Sequence, residues 1–398
     1  MFKSLKRVTY KAFDLEKARD WYSKILNTQP LYDTPFAAIF NVGGHSLSIA
    51  KINEVLPENN ERMEVYWEVD NIDLVYEKLI ENGARSYLPV KQVLNTRIAK
   101  VIDPFGNIIG ITGGILSADK RTVENQPSET AMNVAFCRAL ASKDDREEIK
   151  GTDDIAEIFL AEEAKKILFD SASRKWAIEQ LVTSPLYGYL IARTAFFDSV
   201  FNNACTEDIP QIVFLGAGYD TRAYRFRQVI KNTKIFELDI HSTQQKKIES
   251  LKKANISIPK TLSFVPINFK TDKLDDVLSK AGYDKNEQTL FIWEGVMYYL
   301  SNEAVDNTLD FVKKNSSKYS RICFDYMTEK LESVNAAEPF KFWIEKDKIE
   351  SFLIERGFKV INHLSPDDIK KRYLTLKDGS LAEKTISQFY LILAELYD

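Results

Sequence analysis

A short apolar run, Ile212-Val213-Phe214-Leu215, leads into Gly216-Ala217-Gly218 and then at once into a polar, helix-competent segment, Asp220 to Ile230. Strand, glycine turn and helix in this order form the layout of a nucleotide-type cofactor site. Glycine is needed there because a Cβ restricts the turn and blocks the ligand's approach. The dinucleotide fingerprint wants a third glycine where Thr221 stands, so the turn suits a nicotinamide or something smaller. About twenty residues on, the strand-like Lys234-Ile235-Phe236-Glu237-Leu238-Asp239 ends in acids able to accept from ribose hydroxyls at a sheet's carboxyl edge. Asp239 is the candidate for that role, and Glu237 is expected to point to the opposite side of the strand. A third apolar run, Leu290 to Val296, carries Glu294 at its end. A glycine turn and two acidic strand ends around one crevice would make a ribonucleoside pocket.

These residues resemble the leucine carboxyl methyltransferase superfamily, which includes the tetracenomycin-type polyketide O-methyltransferases. The resemblance is carried by Leu215-Gly216-Ala217-Gly218-Tyr219-Asp220-Thr221-Arg222, Phe236-Glu237-Leu238-Asp239 and Glu294-Gly295-Val296-Met297-Tyr298-Tyr299-Leu300. Ala135 to Leu140 and Tyr189 to Thr194 add to it, so that it extends from near Glu129 to the C-terminus. It implies a class I methyltransferase fold and S-adenosylmethionine (SAM) as cofactor. On that resemblance Gly216, Ala217 and Gly218 let the cofactor approach the backbone, and Asp239 holds the ribose diol. Arg193 and Arg138 grip the cofactor carboxylate, for which a guanidinium fork is suited. Glu294 lies near the methionine part or the acceptor. The family often has Asp-Leu near the adenine; here Pro266-Ile267-Asn268-Phe269 takes that place. Asn268 can still accept from the adenine amino group, and Phe269 can pack on the ring.

Methyl transfer from a sulfonium is an in-line displacement that needs alignment rather than a protein nucleophile. No catalytic residue is therefore assigned. Glu294, Tyr298 and Tyr299 are the candidates near the acceptor, with Tyr326 and Trp343 as further aromatics for a planar substrate. Arg222 is expected to support the glycine turn or pair with an acid. The expected reaction is O-methylation of a carboxylate or hydroxyl on a small molecule, polyketide-like or another metabolite. The alternatives are methylation of a protein's C-terminal carboxylate and a non-catalytic protein that holds ligands in both domains.

The elements that must position these groups point to two domains in 398 residues. Residues 1–116 read as an α+β domain, 117–130 as a polar linker, and 131–398 as an α/β domain with a mostly parallel, Rossmann-like sheet. Helices are expected over Met132 to Leu140, Asp154 to Leu168, Ser173 to Val182 and Pro185 to Phe201, with strands and helices alternating from Ile212 onward. The last residues, Ser387 to Leu396, read as a strand.

The first domain repeats a pattern. A strand from Arg7 to Asp14, a helix from Leu15 to Ile25 and strands near Phe36 to Phe40 and His45 to Ile52 make the first unit. A strand from Glu64 to Val69, a helix from Ile72 to Asn82 closed by Gly83, and strands near Arg97 to Ile102 and Ile108 to Thr112 make the second, with a turn at Asp103-Pro104-Phe105-Gly106-Asn107. This twofold βαβββ pattern, with Asp14 to Tyr22 and the Asp103 turn, resembles the vicinal oxygen chelate superfamily of glyoxalase I and the bleomycin-resistance proteins. That family places His or Glu at four inward-facing positions to bind a divalent metal. Those positions fall here on Arg7, Ser48, Glu64 and Gly110, of which only Glu64 could ligate well. The expectation is a metal-free ligand-binding or dimerising module.

The net charge of −4 and the lack of a basic tract argue against broad nucleic-acid binding. No run of about eighteen apolar residues suggests a membrane span, and the start of the chain is charged too early for a signal peptide. The three cysteines, Cys137, Cys205 and Cys323, are too scattered for a metal site or disulfide framework. A cytoplasmic enzyme with a small-molecule acceptor, and a homodimer through paired sheets, complete the expectation.

Overall fold

The computed structural model describes residues 7–34, 37–42, 45–51, 65–93, 96–113, 127–269, 271–331 and 340–397. It divides into two units, Met1–Lys120 and Arg121–Asp398.

In the first unit the strands are β1 (Arg7–Ala12), β2 (Tyr32–Asp33), β3 (Ala37–Val42), β4 (His45–Lys51), β5 (Tyr66–Glu68), β6 (Arg85–Val93), β7 (Thr96–Ile102) and β8 (Ile108–Gly113). They form two four-stranded sheets of the same design, β1-β4-β3-β2 and β5-β8-β7-β6, with the first strand parallel to the last in each. The helix Leu15–Leu26 is capped by Asp14 and the helix Ile72–Glu81 by Asn71, each side chain accepting from a backbone N–H three residues on. Val8, Tyr10, Ala18, Tyr22, Phe40, Ile49, Leu79, Val101 and Ile111 fill one core shared by both halves. Polar ties also join the halves: among them, Trp67 Nε1 donates to Tyr10 Oη at 3.0 Å, and Tyr22 Oη donates to Asp103 Oδ2 at 2.7 Å.

The expected βαβββ repeat is present, but each half holds a strand absent from the sequence reading, the two-residue β2 in the first and β6 in the second. β6 contains Pro89, which cannot donate to a ladder. It survives as the edge strand, with register irregularities on either side of Leu88. Of the four positions that resemblance assigns to metal ligands, Glu64 lies outside the described residues. Ser48 is buried between Thr9 and Ile39. At Gly110 a Cβ would stand 2.6 Å from the Val65 carbonyl oxygen and 2.8 Å from the Tyr66 ring, so no ligating side chain fits there. Among the described residues no cluster of three or more His, Cys, Asp or Glu could hold a metal.

The second unit is built on β9 (Gln211–Leu215), β10 (Lys234–Asp239), β11 (Leu262–Pro266), β12 (Thr289–Trp293), β13 (Arg321–Met327), β14 (Phe358–Leu364) and β15 (Phe389–Leu396). Their order is β11-β10-β9-β12-β13-β15-β14. The first five strands in that order are parallel, and β15 runs antiparallel between β13 and β14. The order reverses between β9 and β12, and a crevice at such a switch point is where open α/β sheets bind ligands. β9 and β12 are buried at every position, as near-continuous apolar runs in a covered parallel sheet should be.

Three helix expectations are corrected. Asp154 to Leu168 is a 3₁₀ turn (Ile155–Phe159) followed by a separate helix Glu162–Leu168. Ser173 to Val182 is a short α-helix, Ser171–Trp176, that passes into a π-helical turn, Ala177–Val182. After the glycine turn only Arg222–Arg225 is helical, and the Asp220 and Arg222 side chains there are held in ion pairs. The first helix of this unit begins at Glu129, N-capped by Ser128, and runs to Ser142. The long helix covers Ser184–Thr206 with Pro185 in its first turn. No described helix is long and apolar enough to cross a membrane.

Candidate cofactor site

The turn after β9 is shaped by its glycines. Gly216 and Gly218 have φ of +84° and +50°, in the region that side chains resist. A Cβ on Gly216 would lie 2.6 Å from Val296 Cγ2, and one on Gly218 would lie 3.1 Å from Ala131 Cβ. The N–H groups of Gly216 and Ala217 donate to the Leu238 carbonyl at the end of β10, at 2.9 and 2.8 Å. That tie brings Asp239 to the turn: Gly218 N–H donates to Asp239 Oδ2 at 2.6 Å and Ile240 N–H to Oδ1 at 2.7 Å. A carboxylate oxygen can accept more than one hydrogen bond. Ile267 N–H donates to the Asp239 carbonyl at 2.9 Å, which sets half-buried Asn268 and Phe269 beside Asp239 on the same sheet edge.

Glu237 does not point away from the Asp239 side. Residues two apart on a strand share a face, and the two acids feel each other's charge. Glu237 is kept from the crevice by burial beneath the helix His241–Lys253, where Lys247 Nζ meets its Oε2 at 2.5 Å and both side chains are sealed from water. Burial pushes the Glu237 carboxyl up to about 7 in spite of Lys247.

On the other side of the turn lies a buried ion network. Arg193, on the helix Ser184–Thr206 and 3% exposed, sends Nε to Glu294 Oε1 at 3.1 Å. Its Nη1 donates to Asp325 Oδ2 at 3.1 Å and to Tyr298 Oη at 3.3 Å. Burial works against the Arg193 charge, but Asp325 and Glu294 outweigh it and hold the guanidinium more firmly protonated than usual. Asp325 is fully buried; it also accepts from Tyr189 Oη at 2.6 Å and from the Gly295 N–H at 2.6 Å. Burial, and then the charge of Asp325, push the Tyr298 and Tyr189 hydroxyls well above the ordinary phenol range, so both are neutral donors.

Arg222, expected to brace the turn or pair with an acid, meets three carboxylates: Asp198 at 2.8 Å, Asp220, and Glu294 Oε2 in a charge contact at 2.8 Å. Arg138 lies at 2.9 Å from Asp153 and donates to the Tyr219 carbonyl at 2.5 Å, so it grips the glycine turn itself. Asp153 also accepts from Thr221 Oγ1, and Arg225 holds Asp198 at 2.7 Å.

The sequence reading missed Asp325, Asp153 and Asp198. Asp325 had a signal: it is the only charged residue inside Ile322-Cys323-Phe324-Asp325-Tyr326-Met327, and a lone acid in a buried strand must be paired. Asp153 and Asp198 lie in loop and helix contexts where an acid is unremarkable.

The expected acceptor aromatics separate. Tyr298 and half-buried Tyr299 form a ring cluster with Phe340, and Tyr298 also meets Phe389, next to the Arg193 network. Tyr326 is not part of it. It follows Asp325 and so faces the other side of β13, where its hydroxyl meets His363 Nε2 at 2.9 Å and its ring stacks on Tyr390. Trp343 is 39% exposed. All three cysteines are buried, and burial pushes the Cys137 thiol up to about 12.

A glycine turn at the switch point of a β11-β10-β9-β12-β13-β15-β14 sheet, with an acid at the end of β10, belongs to a class I methyltransferase-type fold. Residues 131–313 match the leucine carboxyl methyltransferase family, and residues 4–111 the glyoxalase/bleomycin resistance protein/dioxygenase superfamily. YktD of Bacillus subtilis, named as a candidate S-adenosyl-L-methionine-dependent methyltransferase, is 33% identical over 55% of this chain and 75% of its own length. A protein of Mycolicibacterium paratuberculosis named in the same way is 30% identical over 47% of this chain and 59% of its own. Among solved structures, TehB from Haemophilus influenzae is 13% identical, with 50% of this chain and 62% of that chain covered and a TM-score of 0.32. The chain belongs to the leucine carboxyl methyltransferase family.

Proposed function

We propose that the C-terminal unit is a SAM-dependent O-methyltransferase acting on a carboxylate or hydroxyl of a small molecule. The observation that carries this reading is the set of three positive-φ glycines, Gly216, Gly218 and Gly295, at the ends of β9 and β12, flanked on one side by Asp239 and on the other by Arg193 and Glu294. The donor set fits the cofactor. Asp239 suits the ribose diol, Asn268 and Phe269 the adenine, the Arg193 fork a carboxylate, and Glu294 an ammonium. The network also pairs four guanidiniums (Arg138, Arg193, Arg222, Arg225) with five carboxylates (Asp153, Asp198, Asp220, Glu294, Asp325). One carboxylate in excess favours a ligand with net positive charge, such as a sulfonium.

When bound, the cofactor would supply an activated methyl on a sulfonium for an acceptor oxygen. The chain aligns and dries the site. Alignment contributes about 7–11 kcal/mol in favourable cases. Arg138 acts through Tyr219, holding the glycine turn from beneath. Tyr298 and Tyr299 with Phe340 form an apolar wall that would exclude water and pack a planar acceptor. A protein C-terminal carboxylate is the alternative acceptor; the fused N-terminal unit favours a metabolite.

In calorimetry the wild-type chain should bind SAM or S-adenosylhomocysteine. Gly218→Val, which puts a β-branched residue at φ +50°, and Asp239→Ala should each weaken binding on the order of 10- to 100-fold. Unchanged affinity in both folded variants would refute the site.

The N-terminal unit, in the same reading, is a metal-free ligand-binding or dimerisation module, supported by the closed position at Gly110 and the buried Ser48. Elemental analysis of the purified full chain should find no stoichiometric zinc, nickel, manganese or iron. One equivalent of any of them would overturn this assignment.

A further inference from the structure

Arg193 has five N–H donors. Nε is taken by Glu294 and Nη1 by Asp325 and Tyr298. The two N–H groups of Nη2 have no protein acceptor among the described residues. Their approach is governed by Gly295, at φ +72°: a Cβ there would stand 3.0 Å from Nη1 and 3.3 Å from Nη2. The Gly295 N–H, in turn, is held by Asp325 Oδ1 at 2.6 Å, while Oδ2 of the same carboxylate holds Arg193 Nη1. One buried side chain thus fixes both the guanidinium and the bare backbone that leaves its outer edge open. Tyr189, one turn before Arg193 on the same helix face, donates to Asp325 at 2.6 Å and fixes that carboxylate in turn.

We propose that Gly295 and Asp325 are positioning residues for the amino-acid end of the cofactor: Asp325 orients Arg193, and Gly295 provides the aperture through which Nη2 receives a carboxylate. This rests on the SAM reading above. It requires Glu294 and Asp325 to act differently. Glu294, half-buried and shared between Arg193 and Arg222, can face a ligand. Asp325, fully buried behind Gly295, acts only through Arg193 and the Gly295 amide.

The test compares two probes on the full chain: S-adenosylhomocysteine, and 5′-methylthioadenosine, which keeps the nucleoside and thioether but lacks the amino-acid group. Asp325→Asn puts an amide donor against either Gly295 N–H or Arg193. Gly295→Ala covers the Arg193 edge. Each should lower affinity for S-adenosylhomocysteine on the order of 10- to 100-fold, the range expected for charged hydrogen bonds. Affinity for 5′-methylthioadenosine should stay within about twofold of wild type, because the glycine turn and Asp239 are untouched. If Gly295→Ala does not fold, Asp325→Asn alone decides. Equal loss for both probes, or full retention of S-adenosylhomocysteine affinity, overturns the proposal. A wild-type chain that binds neither probe overturns the SAM reading first and this one with it.

Discussion

Arg222→Met is expected to destabilise the C-terminal unit by about 3–5 kcal/mol, the cost of removing one partner from a buried ion pair. Arg222 is 1% exposed and faces Asp198, Asp220 and Glu294. Asp198 keeps Arg225 and Glu294 keeps Arg193, but Asp220 loses its direct partner. In the wild type, burial works to raise the Asp220 carboxyl, and Arg222, Lys247 and Arg138 together overcome it, so the net shift is downward. A depressed carboxyl contributes stability above its unfolded pKa and loses it as pH falls through the folded value. The variant removes that depression and leaves burial unopposed by Arg222. Its deficit should therefore be greatest near pH 8 and narrow as the solution becomes acidic. Urea unfolding of both proteins from pH 5.5 to 8 would read this. A deficit under about 1 kcal/mol, of the size seen for exposed pairs, would mean that the network is not the structural keystone its burial indicates.

The second large effect is expected at the pair beneath β10. Lys247→Met leaves the fully buried Glu237 without its cation, at a cost of about 3–5 kcal/mol near pH 8. The sign with pH is set by burial, which already lifts the Glu237 carboxyl to about 7, above its ordinary 4.5. An acid raised on folding binds its proton more tightly in the native state, so its contribution to stability falls as pH climbs from the unfolded to the folded value. Without Lys247 the carboxyl rises further, and the losses extend to higher pH. The variant should regain much of its stability near pH 5, where Glu237 is protonated, and Glu237→Leu in the same chain should rescue it at pH 8. Denaturation curves showing a deficit independent of pH, or no rescue, would contradict this account.

Much of the site was legible because its chemistry is written in contiguous residues. Gly216 and Gly218 announce a turn that side chains cannot make, and a strand ending in Asp239 announces an acid at a sheet edge. Both signals are local, because they arise from backbone sterics and from the two-residue period of a strand. Glu294 was legible as an acid at a strand end, whereas Arg193 came from family resemblance; no local pattern shows that an arginine on an apolar helix will be buried against a strand-end acid 101 residues away. Tyr326 was misplaced for a related reason. Composition shows an aromatic residue near the site, but only the pleat tells which face of β13 it occupies. β6 was missed because Pro89 reads as a strand breaker, and only the sheet's edge position makes it harmless. The error over Glu237 was of another kind: strand periodicity already put it on the Asp239 side, and its exclusion from the crevice needed the helix above it.

By itself the chain specifies a glycine turn between a strand and a polar segment, acids at two strand ends, a twofold βαβββ pattern and a division into two units. These follow from interactions among near neighbours, where φ limits, apolar periodicity and capping act directly. The partners of Arg193, Arg222, Asp325 and Lys247 belong to the tertiary structure alone. A buried charge must find an opposite charge, yet water exclusion sets that requirement without naming the partner. The partner is whichever group the strand order β10-β9-β12-β13 brings within reach.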